Sequence, residues 1–550
     1  MTAALHHAAR PVTRTRIGGT PWRRPAAAGT VAAAALTVAT SGLLAPTAFV
    51  VAVSLVAMGG LVLAWLTVRR QLTALTETHM YGLAAAWALP LAVARPLFSG
   101  DVWSYLAQGL TAAGGLDPYR LGPARALGSA SAVTQHVSHY WVDTPAPYGP
   151  AWLTISRAVA MVAGERLAAS VLLYRLIAVA GVVLIAWALP RLARRVGTSP
   201  TVALWLGLLN PLVLWHLVAG AHNDAIMLGL MLTGLELALA GRDRMVPELA
   251  RGAGPARRGP GVSPAHGLSC GSAAPARGRA ATALLGTDTG LWPAGLAARA
   301  KTHGWGRFAA GAALLTIAAN IKIVAAVAVC CLAVAIARRH VRPALVLLAG
   351  AVAGTALLSA VAGFGWLTAV RSSATVYSWM APTTAIGLLI GALVGAHVTA
   401  TAVTIGNLVG VAICVPVVVR LLAAVHRGRA HPLRALGLIF VAALVCGPVV
   451  QPWYLLWAVL PLAVTARGRR ERSIVAAVSA VVAMLLPPLA AGVGALVAGY
   501  LAAAVAFGVV VLARRCVPAG DHRLRTLSRS PKWTPVERLP RRAGEYQAAS

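Results

Sequence analysis

Two carboxylates sit where a hydrocarbon-rich chain can least tolerate them. Asp101 follows the apolar run from Tyr81 to Leu97, and Asp224 lies almost inside another, in a protein with only 14 acidic residues. An ionised carboxylate at a bilayer lip is costly unless it is paired, hydrated or used. Lys322, one of three lysines, stands alone in a third apolar run. Arg175 and Arg371 add two further isolated cations, the latter beside Ser372 and Ser373. Such cations suit the phosphate of a lipid arriving in the membrane plane. The aromatic residues Trp103, Tyr105, Tyr140, Trp141, Tyr148, Trp379, Trp453 and Tyr454 gather in the same connecting segments. Their faces can stack on pyranose rings, while Pro145, Pro147 and Pro150 stiffen the chain by fixing φ.

Each residue also has a plainer explanation. Asp101 could cap a helix start, and Asp224 could pair structurally with Lys322 or Arg175. Lys322 could snorkel to the headgroups, and the rings could form an interfacial belt. His136, His139 and His216 are weak signals taken singly.

The elements that must position these groups are membrane helices. Of 550 residues, 58% are hydrophobic and 11% charged, and mean hydropathy is +0.74. That composition excludes a water-soluble globule and indicates a polytopic all-α membrane protein, with spans of about 20 residues. The net charge of +34 would suit nucleic acid. Its concentration in stretches at 10–24, 69–70, 191–195, 242–307, 338–342, 420–434, 467–472 and beyond 514 fits the positive-inside rule instead. No nucleic-acid partner is expected. The six cysteines form no CxxC pair, so neither a disulfide framework nor a zinc site is expected.

Charge parity orders the chain. A basic cytoplasmic segment, 1–26, leads into the first spans, 27–98, which deliver Asp101 outside. A large outer loop, 99–166, carries an apolar segment at 148–163, read as an interfacial or re-entrant helix. Spans follow over 167–240, including a hairpin of 200–219 and 223–240 whose tip is His222-Asn223-Asp224. The Gly-, Pro- and Arg-rich stretch 241–306 reads as a disordered cytoplasmic insertion. Spans resume over 307–513 around an outer loop at 363–383, with a second re-entrant candidate at 384–396, and the basic tail 514–550 ends inside. The runs 307–337 and 433–466 each begin and end near arginines. About 31 residues at 1.5 Å each make roughly 46 Å, too long for one upright helix. Each is expected to break into two short helices, turning at Asn320-Ile321-Lys322 and at Val450-Gln451-Pro452-Trp453-Tyr454. The total is about 14 crossings.

Six motifs in order then carry a resemblance. They are Ser99-Gly100-Asp101-Val102-Trp103-Ser104-Tyr105, Gly115-Leu116-Asp117-Pro118-Tyr119, Asp143-Thr144-Pro145-Ala146-Pro147-Tyr148-Gly149-Pro150, Gly220-Ala221-His222-Asn223-Asp224, Trp379-Met380-Ala381-Pro382-Thr383-Thr384 and Gln451-Pro452-Trp453-Tyr454-Leu455-Leu456-Trp457. Over about residues 30–510 the chain resembles the actinobacterial polyprenol-phosphate-mannose-dependent α-(1→6)-mannopyranosyltransferases of the GT-C fold. The resemblance implies a plasma-membrane helical bundle with its active site on the extracytoplasmic face. It implies inverting transfer of mannose from polyprenyl phosphate mannose to an α-(1→6)-mannan on a lipid anchor, as in lipomannan assembly. The family's acid in the first outer loop maps onto Asp101, expected to be the general base. Lys322, Arg371 and Arg175 are expected to hold the donor phosphate. Tyr105, Asp143, Tyr148, His222, Asn223, Asp224, Gln451, Trp453 and Tyr454 are expected to bind substrate. With no Asp-x-Asp motif, neither metal nor cofactor is expected. Two other readings stand beside this one: the same fold using another polyprenyl-phosphate sugar or a protein acceptor, and a transporter or flippase of polyprenol-linked lipids.

Overall fold

A computed structural model describes residues 22–252, 294–368 and 377–516. The N-terminal basic segment up to residue 21, the middle of the insertion at 253–293, Arg371 with its serines, and the tail from 517 lie outside the described residues.

The described residues form helices and no strand. Helix α1 (Arg23–Ala39) and α2 (Ala48–Val68) form the first hairpin, with the Thr47 hydroxyl capping α2 at Val50. Helix α3 (Glu77–Ala92) leads to α4 (Asp101–Ala113), and the short α5 (Pro123–Leu127) and α6 (Ala132–His136) follow. The 148–163 segment is α7 (Pro150–Ala163), opened by Pro150 in the first turn, where its missing N–H costs nothing. It packs on α4. Helix α8 (Leu167–Arg195) is a long apolar rod.

The expected span 200–219 is not one helix. Helix α9 (Pro200–Leu206) stops before Asn210-Pro211, and Val213–Ala219 winds as a π-helix. Pro211 cannot donate to the preceding turn. Asn210 fills the gap: its amide donates to the Leu206 carbonyl and the Ser479 hydroxyl, and its oxygen accepts from Leu212 N. Helix α10 (Asp224–Gly252) starts after this break.

The run 307–337 does break at Lys322, between α11 (Ala294–Ile321) and a 3₁₀ turn leading into α12 (Ala326–Ala337). Helix α13 (Val341–Ala362), α14 (Pro382–Val394) and α15 (Ala396–His426) follow. The run 433–466 also divides, into α16 (Pro432–Cys446) and α17 (Leu455–Thr465), joined through a 3₁₀ turn at Pro452–Tyr454. Helices α18 (Arg469–Ala483) and α19 (Val493–Cys516) complete the order.

Five of these helices are long and apolar enough to cross a membrane: Ala48–Gln71, Leu167–Arg195, Asp224–Arg244, Val341–Ala362 and Ala396–His426. Shorter apolar helices such as Pro432–Cys446 and Pro382–Val394 accompany them. One contiguous core joins most helices. At its centre Trp65 and Trp205 stack and exchange indole-to-carbonyl hydrogen bonds of 2.7 and 2.9 Å. The basic ends are tied separately, with Arg194 paired to Glu77, and Arg195 to Glu236 at 2.8 Å and to Asp243. Glu77 opens α3 whereas Asp101 follows its far end, so these pairs and the Asp101 loop occupy opposite ends of the bundle.

Candidate active site

The helix breaks converge. Asp101 opens α4 with its backbone N–H on the Ser99 hydroxyl at 3.1 Å. Facing it is His222, whose Nδ1 lies 3.3 Å from Asp101 Oδ2. His222 is delivered by the break between the π-helix and α10, and its ring stacks on Trp453 at 4.0 Å. The two residues with φ > 0 other than glycine, among those described, are Phe98 (68°) and Ala221 (51°). One precedes Asp101 by three positions and the other immediately precedes His222. Such conformations cost on the order of 1–3 kcal/mol each and persist where surrounding structure enforces them, commonly at functional sites.

Beside this couple is a second. Lys322 Nζ donates to both oxygens of Asp224, at 2.9 and 3.1 Å. Trp457 Nε1 donates to Asp224 Oδ1 at 2.6 Å. The same ammonium stands 4.3 Å from the Tyr454 ring centre and 5.2 Å from that of Trp457, two rings that themselves stack at 4.1 Å. Lys322 can reach inward because its backbone is extended (φ −146°, ψ 122°), which ends α11.

Exposure separates the roles. His222 and Asp224 side chains are 0% exposed, whereas Asp101 and Lys322 are each 16% exposed. Each couple therefore has an enclosed partner that orients and a partner that can meet a ligand. Burial alone would push the Asp101 carboxyl upward, but the hydrogen bond and charge of His222, the Ser99 hydroxyl and the Lys322 charge more than offset it. Asp101 is held below the usual carboxylate range and is ionised at neutral pH.

An aromatic wall completes the site. Tyr105 meets Tyr148, Trp152 and Tyr174 edge-on at 5.3, 4.9 and 5.6 Å, and its hydroxyl accepts from Asn223 N at 3.4 Å. Burial pushes the Tyr105 and Tyr148 phenols well above their ordinary value, so both are neutral hydroxyls. Tyr148 is tied to the Lys322 break through its neighbour Gly149, whose N–H donates to the Ile321 carbonyl at 3.2 Å. A Cβ at Gly149 would lie 2.2 Å from the Asn320 carbonyl oxygen, so this approach requires glycine.

Several enclosed polar atoms lack a protein partner: both ends of the Asn223 amide, His222 Nε2, His216 Nδ1 and Trp453 Nε1. Unsatisfied buried groups carry a desolvation cost, and here they cluster beside the partly exposed side chains of Asp101 and Lys322. A hydroxyl-rich ligand supplies the donors and acceptors they need.

Of the residues singled out from sequence, Asp101, Tyr105, Tyr148, His222, Asn223, Asp224, Lys322, Trp453 and Tyr454 are brought together. Asp143 is exposed on the connection between α6 and α7 and is not joined to this cluster. Gln451 is half-buried at the start of the 3₁₀ turn, where its carbonyl accepts from Tyr454 N. Arg175 donates from its two terminal nitrogens to the Ala92 and Ala219 carbonyls at 3.0 and 2.9 Å. This is a correction: its guanidinium seats two helix ends that would otherwise lack partners. Arg371 lies outside the described residues. Two features went unselected, Trp457 and the ring contact of His216 with Trp453 at 5.3 Å. The signal for Trp457 is its spacing, three residues from Tyr454, on whose ring it stacks. The Trp379–Thr384 motif acts on the backbone. Ser378, just before it, and Thr383 and Thr384 within it donate to the Val450, Gly447 and Pro448 carbonyls, holding the turn before Trp453. Among the described residues no group of three or more His, Cys, Asp and Glu is arranged to hold a metal ion.

Comparison with known proteins bears on this geometry. Residues 16–338 match the family model described as "Alpha-(1->6)-mannopyranosyltransferase, N-terminal domain", and residues 381–513 match that of the "MptB C-terminal domain". An alpha-(1->6)-mannopyranosyltransferase of Mycobacterium tuberculosis is 41% identical over 71% of this chain and 66% of its own length. A probable one from Mycolicibacterium smegmatis is 36% identical over 77% and 72%. Alpha-(1->6)-mannopyranosyltransferase B of Corynebacterium glutamicum is 32% identical over 78% and 66%. The chain thus spans about two thirds of the length of the first and third of these relatives. No solved structure matches.

Proposed function

Because this chain belongs to the α-(1→6)-mannopyranosyltransferase family, we propose that it is an inverting mannosyltransferase of the membrane. The observation that carries this reading is the pairing of two couples at one lip, Asp101 with His222 and Lys322 with Asp224, each with one enclosed and one reachable member. The donor is polyprenyl phosphate mannose, and the acceptor is a growing α-(1→6)-mannan on a lipid anchor of the lipomannan type in the cell envelope.

Asp101 accepts the proton of the acceptor 6-hydroxyl as that oxygen attacks the anomeric carbon from the side opposite phosphate. The new C–O bond forms as the bond to the phosphate oxygen breaks, so a β-linked donor gives an α-linked product. The bonding pair leaves with polyprenyl phosphate. His222 orients the carboxylate. Lys322, with its ammonium at the same lip, stabilises charge developing on the leaving phosphate, and Arg371 is a second cation for that role. Asn223, His222 and Trp453 offer their unpartnered atoms to sugar hydroxyls, with Tyr105, Tyr148 and Tyr454 as the stacking wall.

The topology consistent with this chemistry places Asp101 on the extracytoplasmic face of the plasma membrane, both ends of the chain inside, and about 14 crossings. Some crossings are then made by pairs of short helices meeting at the breaks. The experiment is mannose transfer by purified protein in liposomes from labelled polyprenyl phosphate mannose to a short mannosylated glycolipid. Asp101→Asn should lower the rate by about 10²–10⁴-fold with folding intact. A variant retaining more than about a tenth of the rate removes Asp101 from the chemistry. Lipid scrambling without transfer would overturn the assignment as an enzyme.

A further inference from the structure

Three turns at the Asp101 end of the bundle enclose a cavity of about 780 Å³. They are the α1–α2 turn around Gly42 and Leu44, the α3–α4 connection from Arg95 to Gly100, and the loop 484–492 between α18 and α19. The volume falls in the range of small-molecule sites, about 300–1,000 Å³. The last two segments are joined by a hydrogen bond from Phe98 N to the Pro488 carbonyl, 3.5 Å. The walls are more apolar than polar, with Leu44, Pro46, Leu97, Leu486 and Leu489 among them. Ser99 and Gly100 also line it, and the next residue along the chain is Asp101.

One cation contributes to this apolar lining. Arg95 is exposed at the cavity and has neither an ion-pair nor a hydrogen-bond partner among the described residues. Its guanidinium lies against the backbone of Gly42, where a Cβ would stand 2.0 Å from Nη1. Gly42 has φ +80°, a conformation that glycine alone adopts at little cost. The turn is therefore shaped to admit the arginine. Of the cations assigned to phosphate from sequence and present among the described residues, Arg175 is engaged by carbonyls, while Lys322 shares its ammonium with Asp224.

We propose that this cavity is the binding site for the phosphate and first isoprene units of the polyisoprenyl phosphate, with Arg95 as a phosphate ligand in addition to the cations named above. The chemistry matches on both sides. A guanidinium takes a phosphate in a bidentate fork. The apolar walls take the branched hydrocarbon, which enters laterally from the membrane. Loss of the sugar turns a phosphodiester with one negative charge into a monoester carrying more, so Arg95 favours the leaving state. The inference rests on the transferase reading above and adds the location and the residue.

The test uses full-length protein in nanodiscs of zwitterionic lipid and equilibrium binding of labelled, sugar-free decaprenyl phosphate. Arg95→Gln should weaken binding at least tenfold, and Arg95→Lys less. Leu44→Asp, in an exposed turn, should weaken it through repulsion and lost apolar contact. Phosphatidic acid and inorganic phosphate should compete poorly. Wild-type affinity in Arg95→Gln overturns the proposal, as does equal competition by phosphatidic acid, which would mark a general anionic-lipid site, or by inorganic phosphate alone. Arg95-dependent binding without mannose transfer by the wild type would sink the transferase reading and leave this site standing. Transfer with an unchanged donor KM in Arg95→Gln would do the reverse.

Discussion

Replacing Lys322 by methionine should damage the protein more than replacing its partner Asp224 by asparagine, although both changes break the same ion pair. Asp224 is fully enclosed and its oxygens are held by Lys322 at 2.9 and 3.1 Å and by Trp457 at 2.6 Å. Lys322→Met leaves that carboxylate with one neutral donor and no route to water. Stranding a buried charge costs about 3–5 kcal/mol. Asp224→Asn strands nothing comparable. The asparagine carbonyl still accepts from Trp457, and the Lys322 side chain is 16% exposed. It also keeps the Tyr454 face at 4.3 Å, worth about 0.5–2 kcal/mol. The asparagine carbonyl also remains within reach of the ammonium, so the loss there should be near the cost of one hydrogen bond to a charged group, about 1.5–3 kcal/mol.

The double variant provides the decisive comparison. With both charges gone, Asp224→Asn/Lys322→Met should be more stable than Lys322→Met alone, so that the two losses are non-additive by at least about 1 kcal/mol. Denaturant unfolding in detergent, followed by intrinsic fluorescence, measures the four members of the cycle. Mannose transfer measured on the same samples separates stability from chemistry. If Lys322 serves the leaving phosphate, the double variant folds yet transfers slowly, with the deficit in donor use. Equal losses for the two single variants, adding in the double, would refute the enclosure of Asp224 and the orientation of the pair.

Two further outcomes are expected. His222→Phe keeps a ring against Trp453 but removes the contact that does most to hold Asp101 low, leaving only the Ser99 hydroxyl and the Lys322 charge against burial, so its pKa rises. Activity requires ionised Asp101 and is lost as pH falls through its folded pKa, so the acid limb of kcat/KM should move to higher pH; an unmoved limb refutes the coupling. Gly149→Ala places a methyl 2.2 Å from the Asn320 carbonyl oxygen, which must push the Tyr148 loop off the Lys322 break. Transfer should fall at least about tenfold through misplacement on the order of 1 Å, and wild-type rates would show that this contact does not position the site.

Much of the site was legible because charge in hydrocarbon is rare and therefore informative. Asp101, Asp224 and Lys322 could be picked out by cost alone, and the breaks at Lys322 and before Trp453 by the length of their apolar runs. What spacing could not supply was partner choice. Lys322 and Arg175 were both available to Asp224, and only packing sends Arg175 to the Ala92 and Ala219 carbonyls. The interruption of 200–219 was hidden because Asn210-Pro211 sits among leucines and valines, and composition over a whole span averages one proline away. Arg95 carries no comparable signal, because the cavity that gives it a role is built from three turns drawn from both ends of the chain. The lesson concerns scale. Solvation cost is a property of single residues, whereas cavities and partners belong to the assembled turns.

The breaks themselves argue for where the chemistry lies. In a bilayer every unpaired backbone group costs several kcal/mol, so helices are interrupted only where protein or water satisfies the freed groups. This chain interrupts helices before Asp101, before His222-Asn223-Asp224, at Lys322 and before Trp453-Tyr454. Side chains offset part of the cost: Asn210, Arg175, Ser378, Thr383 and Thr384 all serve freed carbonyls or amides. A fold selected for stability alone would continue those helices. Four interruptions from distant parts of the sequence meet, with strained backbone at Phe98 and Ala221 and with unpartnered amide and imidazole atoms enclosed among them. That follows if the meeting point must present a carboxylate and an ammonium to a ligand. Should a ligand-free protein in which Asn223 and His222 are replaced by Leu and Phe prove no more stable than the wild type, those enclosed atoms would carry no functional cost and the argument from convergence would lose its force.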